Sequence, residues 1–287
     1  MHEREVKSIL SSDNNMNLYR GCTHGCIYCD ARSLCYQIQH EFTDIEVKSN
    51  ALPLLEAALR RKRQPCMINT GSMSDPYLPE EETLRHTRQA LELILRYGCG
   101  LSILTKSDRI LRDLDLLQEI HRRSKCVVQL TLTTHDDNLC RIVEPNVCPT
   151  SRRVEVLEIL RDAGVPTVVW MTPILPYLNE TEENLRGILA SCIRAKVYGI
   201  INFGMGMTLR DGNREYYYAQ LDRHFPGLSD RYRREYGTRY ELTSPNHPRL
   251  MPLFHRICRE HGIEDNPDRI FAYLHAYPEP GEQLSLF

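Results

Sequence analysis

Residues 21–32 read GCTHGCIYCDAR, which places Cys22, Cys26 and Cys29 in a C-x3-C-x2-C spacing with the aromatic Tyr28 just before the third thiol. Cysteine thiolates are the usual ligands of iron–sulfur clusters. Three thiolates this close together can hold three irons of a four-iron cluster and leave the fourth iron open to a substrate or cofactor. Gly21 and Gly25 let the loop fold tightly around such a group. Zinc is the competing reading: it usually takes four ligands in two separated pairs, with His24 or Cys35 available as the fourth.

Downstream of this loop the chain alternates regularly. Residues 65–72 (PCMINTGS), 100–107 (GLSILTKS), 126–134 (CVVQLTLTT), 165–176 (VPTVVWMTPILP) and 198–206 (YGIINFGMG) read as short buried strands. Between them, 81–98, 109–123, 151–164 and 181–196 carry helical periodicity, with Gly98 and Gly164 as stops. Thr181 with Asn184 only loosely resembles a capping box. Apolar strands separated by amphipathic helices imply parallel pairing through helical crossovers. We expect an α/β fold, a partial (β/α)6 TIM-like barrel with a helical C-terminal extension, although the pattern alone also admits an open sheet. The expected division is a core over 1–207, an Arg/Tyr-rich helical extension over 208–276 and a flexible tail over 277–287.

Composition narrows the classes. The 287 residues are 41% hydrophobic and 26% charged, with a net charge of −2. That is an ordinary globular balance, with no global attraction to nucleic acid. No apolar run approaches a membrane span, and the first residues lack the apolar core of a signal peptide, so a cytoplasmic location is expected. Eleven cysteines do not read as a disulfide framework in such a chain. Those outside the loop, such as Cys66, Cys99 and Cys126, sit in or beside apolar runs and read as small hydrophobes.

The loop and its neighbours resemble the radical S-adenosylmethionine superfamily, and within it the spore photoproduct lyase-related family. The resemblance spans residues 17–205 and is carried by NLYRGCTHGCIYCDAR, TGSMSDPYLPEE, ILTKSDRILRDLDLL, LTLTTHDDNLCRIVEP and RRVEVLEILRDAGVPTVVWMTPILP, in family order. It implies a 4Fe–4S cluster on Cys22, Cys26 and Cys29. It also implies S-adenosylmethionine chelated to the open iron, and one-electron cleavage of that cofactor to methionine and a 5′-deoxyadenosyl radical. Tyr28 belongs to the implied cofactor surroundings. Thr70, Gly71, Ser72, Ser74 and Asp75 are implied near the methionine moiety. Lys106 matches the lysine that pairs with the cofactor carboxylate, and Thr131 and Thr133 fall on the ribose and sulfonium side. Such sites sit at strand C-termini.

The match departs from spore photoproduct lyase at two points: Ser72 stands where its hydrogen-donor cysteine would be, and Asp30 where its tyrosine would be. A hydroxyl is a far poorer hydrogen-atom donor than a thiol, so repair of spore photoproduct itself is not expected. Cys35, Cys140 and Cys148 are the alternative thiols, the last two candidate catalytic hydrogen donors flanking Val143-Glu144-Pro145.

The last five residues, QLSLF, resemble the bacterial sliding-clamp-binding motif. In that reading Leu286 and Phe287 fill an apolar pocket, Gln283 hydrogen-bonds at a second subsite and Leu284 belongs to the same peptide. Residues 210–262 hold ten Arg, no Lys and seven acids, with six tyrosines among the arginines. Arginines pair with phosphates and tyrosines stack on bases; the same pattern also fits helices with tyrosines packed inward. The reading is a radical enzyme acting on DNA, recruited by the clamp and served by a reducing electron donor. Its rivals are radical modification of RNA, protein or a small molecule with a structural tail, and a non-catalytic iron–sulfur module.

Overall fold

The computed structural model describes residues 1–278. In chain order its strands are His2–Arg4 (β1), Asn15–Met16 (β2), Tyr19–Arg20 (β3), Glu46–Lys48 (β4), Met67–Thr70 (β5), Gly100–Thr105 (β6), Cys126–Thr131 (β7), Thr167–Trp170 (β8), Gly199–Ile201 (β9), Gly206–Thr208 (β10) and Glu241–Thr243 (β11). The helices are Ala51–Arg61 (α1), Glu81–Leu84 (α2), His86–Arg96 (α3), Leu114–Arg123 (α4), Asp137–Val143 (α5), Thr150–Asp162 (α6), Glu182–Arg194 (α7), Asn213–His224 (α8), Leu228–Tyr236 (α9), His247–Glu260 (α10) and Pro267–His275 (α11).

Six strands pair in the order β2-β5-β6-β7-β8-β9, every neighbour parallel. Strands β5, β6, β7 and β9 are almost wholly buried along their length, because both faces of the sheet are covered. On one face Val128, Leu130 and Val169 join the helices' apolar stripes, Leu91 and Ile94 of α3 and Leu157 and Leu160 of α6 among them. On the other, Val127, Val168 and Ile201 meet Ile270 and Leu274 of α11. Helix α11 touches both β5 and β9, so one helix spans the sheet on that side. The sixth strand, β2, has no counterpart in the sequence reading. It is two residues long, too short to show a pattern, and exists only because it pairs with Asn69 and Thr70.

The helix stops fall where expected. Gly98 takes φ +66°, and the Cys99 N–H reaches back to the Ile94 carbonyl at 3.0 Å, closing α3 in the left-handed turn that glycine favours. Thr181 does cap α7: its hydroxyl accepts the Asn184 N–H at 3.1 Å. The Asn184 side chain turns instead to the carbonyls of Thr133 and Asn179.

Residues 208–276 are not wholly helical. They contain strand β11, which pairs antiparallel with β10. Their later helices return to the core: α10 packs on α7 and α11 on the sheet. Tyr217, Tyr218, Tyr232 and Tyr236 are buried in a satellite core with Cys26, Ile27 and Tyr28, so these four rings support the cysteine loop and offer no face to a nucleic acid. Tyr277, expected in a free tail, donates its hydroxyl to the Gly98 carbonyl at 2.7 Å. Gln283, Leu284, Leu286 and Phe287 lie outside the described residues.

Candidate active site

The loop after β3 is laid over the C-terminal ends of the parallel strands and fastened from both sides. The Cys22 N–H bonds the Phe42 carbonyl at 2.9 Å, and the Ile27 N–H bonds the Val143 carbonyl at 3.0 Å. Asn146 bonds the carbonyls of His24 (3.1 Å) and Thr23 (2.8 Å). Gly21, at φ +87°, passes so close to the Phe42 carbonyl oxygen that a Cβ would meet it at 2.6 Å; no other residue fits there.

A cavity of about 560 Å³ opens under this loop. Cys22, Cys26 and Cys29 all line it, as do Tyr28, Gly71, Ser72, Ser74, Asp75, Lys106 and Thr131. Sequence reasoning therefore brought ten of its candidate residues to one place. Asp75 is the hub. Its carboxylate accepts the Thr105 hydroxyl (2.7 Å) and the backbone N–H groups of Tyr77 (2.8 Å) and Lys106 (2.8 Å), and His24 Nδ1 lies 3.4 Å away. The Ser74 hydroxyl donates to the Gly21 carbonyl at 2.6 Å, tying the β5 loop to the cysteine loop. Lys106 Nζ stands 6.0 Å from the centre of the Tyr28 ring. Burial acts to lower its pKa, but Cys26, Glu144, Cys29 and Asp75 around it hold it above the ordinary lysine value, so it stays a cation. Burial pushes the Cys22 thiol up to about 12, and raises Cys26 and Cys29 as well. Three thiols in one cavity, Cys26 buried and Cys22 and Cys29 half-buried, ask for a cationic group if they are to ionise.

Three cysteines facing one cavity are a donor set suited to an iron–sulfur cluster. Tetrahedral zinc needs sulfur atoms roughly 3.8 Å apart, given its usual bond length. Among the described residues the group of three or more His, Cys, Asp or Glu whose ligand atoms converge within 4.8 Å is His2, His40 and Asp44, not the cysteines. Cys35 is exposed and does not line the cavity, so it is no fourth ligand.

Four expected residues are elsewhere. Thr70 ends β5, buried one residue short of the cavity. Thr133 is wholly buried because the chain turns away after β7, where its carbonyl accepts Asn179 at 2.7 Å and Asn184 at 3.1 Å. Cys140 is also buried; it accepts from Arg153 at 2.9 Å and points to Glu144 at 3.6 Å. Cys148 is bonded to the Lys106 carbonyl at 3.3 Å. Neither thiol lines the cavity.

Sequence reasoning missed what holds the site. Arg153 and Glu144 form a wholly buried ion pair. Glu144 also accepts the Tyr28 hydroxyl, and Arg153 donates to the Thr131 carbonyl at 2.7 Å. The signal was present: Arg153 shares the buried stripe of α6 with Val156, Leu157 and Leu160, and a charge on an apolar stripe implies a buried partner. Trp170, Phe203 and His247 line the same cavity from elements too distant in sequence to be grouped by pattern.

Fold and site together define a parallel α/β protein whose loop-borne thiols, lysine and strand-end polar groups face one cofactor-sized cavity. Residues 16–190 match the model of the radical SAM superfamily, and the chain belongs to that superfamily of enzymes. An uncharacterised protein of Mycobacterium tuberculosis is 30% identical over 281 residues, covering 90% of this chain and 78% of its own. A protein of Pseudomonas phage M6 named radical SAM Nalpha-GlyT isomerase is 24% identical over 165 residues, 58% of this chain and 33% of the phage protein. Among solved structures, a mutant of spore photoproduct lyase superposes with TM-score 0.61 at 14% identity, over 90% of this chain and 77% of that one. A methyltransferase from Kitasatospora setae with cobalamin and a [4Fe–4S] cluster bound gives TM-score 0.53 at 13% identity, over 88% and 52%.

Proposed function

We propose that this chain binds a 4Fe–4S cluster on Cys22, Cys26 and Cys29, with S-adenosylmethionine beside it, and uses the resulting radical chemistry on DNA. The observation that carries the cofactor reading is the convergence of the three thiols, Lys106 and Asp75 on one cavity at the strand ends. When bound, the cluster supplies the electron that splits the cofactor into methionine and a 5′-deoxyadenosyl radical. The chain's own work is placement. Lys106 offers a fixed cation to the cofactor carboxylate, Asp75 fixes the backbone from which Lys106 projects, and Ser72 and Thr131 face the same space. Helix α11 reaching both β5 and β9 fits a partial barrel.

The DNA reading rests on two supports. One is the fold shared with spore photoproduct lyase, a structure of which holds S-adenosylmethionine and dinucleoside spore photoproduct. The other is the QLSLF ending, which suits recruitment by a sliding clamp. The test is isotopic: a reaction with uniformly deuterated DNA should carry deuterium into 5′-deoxyadenosine. Label arriving only from deuterated RNA or protein overturns the DNA assignment and leaves the radical chemistry intact.

A further inference from the structure

The parallel pairing of β1 with β4 sets His2 opposite Glu46. Asp44, two residues earlier in the chain, meets the same imidazole: His2 Nδ1 lies 2.9 Å from Asp44 Oδ2. His40 arrives from the segment leading into β4, its ring edge-on to that of His2 with centroids 4.8 Å apart at 83°. His2, His40 and Asp44 each offer one ligand atom, and these atoms lie within 4.8 Å of one another. The three residues are half-buried, and the Glu46 carboxylate beside them is buried.

The hydrogen bonds fix where the lone pairs are. A backbone carbonyl can only accept, so His40 Nδ1, 3.0 Å from the Glu41 carbonyl, carries the proton of the neutral ring. Its Nε2 is then a lone pair, buried and without a hydrogen bond. His2 in the same way gives its Nδ1 proton to Asp44 and keeps a lone pair on Nε2. Both Nε2 atoms stand 3.9 Å from Glu46 Oε2, beyond hydrogen-bond reach. A carboxylate oxygen and two imidazole lone pairs therefore share one neighbourhood with no proton between them. Arg4 reaches Glu46 Oε2 at 3.2 Å but leaves both imidazoles unanswered. The carbonyl on the far nitrogen of His40 is the support that orients metal-bound histidines.

We propose that His2, His40 and Asp44 bind one divalent transition-metal ion of the zinc type, with Glu46 adding negative charge beside it. Two imidazoles and a carboxylate are donors such an ion takes, whereas calcium and magnesium call for oxygen alone. None of the four residues lines the cavity, so the site is separate from the proposed cluster and its role is to fasten the chain. His40 and Asp44 bracket Phe42, whose carbonyl accepts the Cys22 N–H at 2.9 Å. An ion joining them to β1 fixes the segment that holds the Cys22 backbone.

The test uses untagged enzyme, because the Met1 amine sits on Asp44 at 2.6 Å, prepared anaerobically and loaded with cluster so that the loop thiols are occupied. Zinc ion is the probe. Equilibrium dialysis counts it, zinc-edge X-ray absorption reads its ligands, and the thermal midpoint is recorded with and without it. The expected results are one zinc per chain, a nitrogen and oxygen shell at about 2.0–2.2 Å with no sulfur at about 2.3 Å, and a midpoint raised by the ion. His2→Ala and His40→Ala should each weaken binding by at least about tenfold, since loss of an outer-sphere partner alone costs that much. His40→Gln, which keeps a polar side chain without the imidazole, should do the same and serves if the alanine variant fails to fold. No retained zinc, a sulfur shell, or a zinc that the variants hold at full affinity overturns the site. A midpoint that zinc leaves unchanged overturns its fastening role. Release of 5′-deoxyadenosine tests the radical chemistry separately.

Discussion

Asp75 accepts the backbone N–H of Lys106 at 2.8 Å, so the carboxylate at the end of one strand loop sets the position of the lysine on the next. Lys106→Ala should weaken S-adenosylmethionine binding by about 1.5–3 kcal/mol, the scale of a lost charge-assisted hydrogen bond, and leave the iron content unchanged. Asp75→Ala should weaken it as well and also lower stability, because the Tyr77 and Lys106 N–H groups lose their acceptor. Calorimetric titration of anaerobic protein checks both. Unchanged affinity in the lysine variant would show that Lys106 does not meet the cofactor.

The Glu144–Arg153 pair gives the fold an acid limit. Burial acts to raise the Glu144 pKa, but the charges of Arg153 and Lys106 and the bonds from Tyr28 and Arg153 outweigh it and hold the carboxyl below its ordinary value. Its folded pKa is therefore lower than its unfolded one. The stability it contributes is present above the unfolded value and is lost as pH falls through the folded one. Glu144→Gln should cost about 3–5 kcal/mol at neutral pH, since it strands a buried guanidinium. It should also flatten the acid limb of a urea-midpoint-against-pH curve. Curves that run parallel for the two proteins would contradict this.

Ser72 lines the cavity where a donor thiol is absent. The protein should not restore thymines efficiently from dinucleoside spore photoproduct, and Ser72→Cys, which puts a thiol into the same space, should raise the yield. Product analysis by chromatography decides it; rapid multiple-turnover repair by the unaltered protein would show that another group donates.

The cysteine spacing and the strand–helix rhythm were legible because each is written within a few consecutive residues. Lys106 and Asp75 were legible through the resemblance and a shared position at strand ends. What could not be read is what only the fold assembles. Strand β2 has no pattern of its own, and Glu144 meets Arg153 only once α5 and α6 are packed. The tyrosines of α8 and α9 showed an interleaved pattern that fits either a basic surface or a buried face; packing under the cysteine loop chose the second. Thr133 lies two residues beyond Thr131, and a turn toward Asn179 and Asn184 takes it out of the site.

The tail can be tested apart from the enzyme. A peptide of residues 278–287 should bind a bacterial sliding clamp at about −7 to −8 kcal/mol, a micromolar affinity. Replacing Leu286 and Phe287 by Ala should remove most of it. The chain just before the peptide is anchored by Tyr277 on Gly98, next to the start of β6, at the sheet end opposite the cavity. The double variant should therefore leave 5′-deoxyadenosine formation untouched. Failure of both peptide and whole protein to bind the clamp removes that partner.

The central claim is that Cys22, Cys26 and Cys29 carry a cluster that reductively cleaves S-adenosylmethionine. The direct measurement is iron, sulfide and 5′-deoxyadenosine on anaerobically reconstituted protein with dithionite and the cofactor. The account predicts about four irons and four sulfides per chain, release of 5′-deoxyadenosine, and loss of that release in Cys22→Ala, Cys26→Ala and Cys29→Ala. Stoichiometric zinc without charge-transfer absorbance, and no 5′-deoxyadenosine, would contradict it.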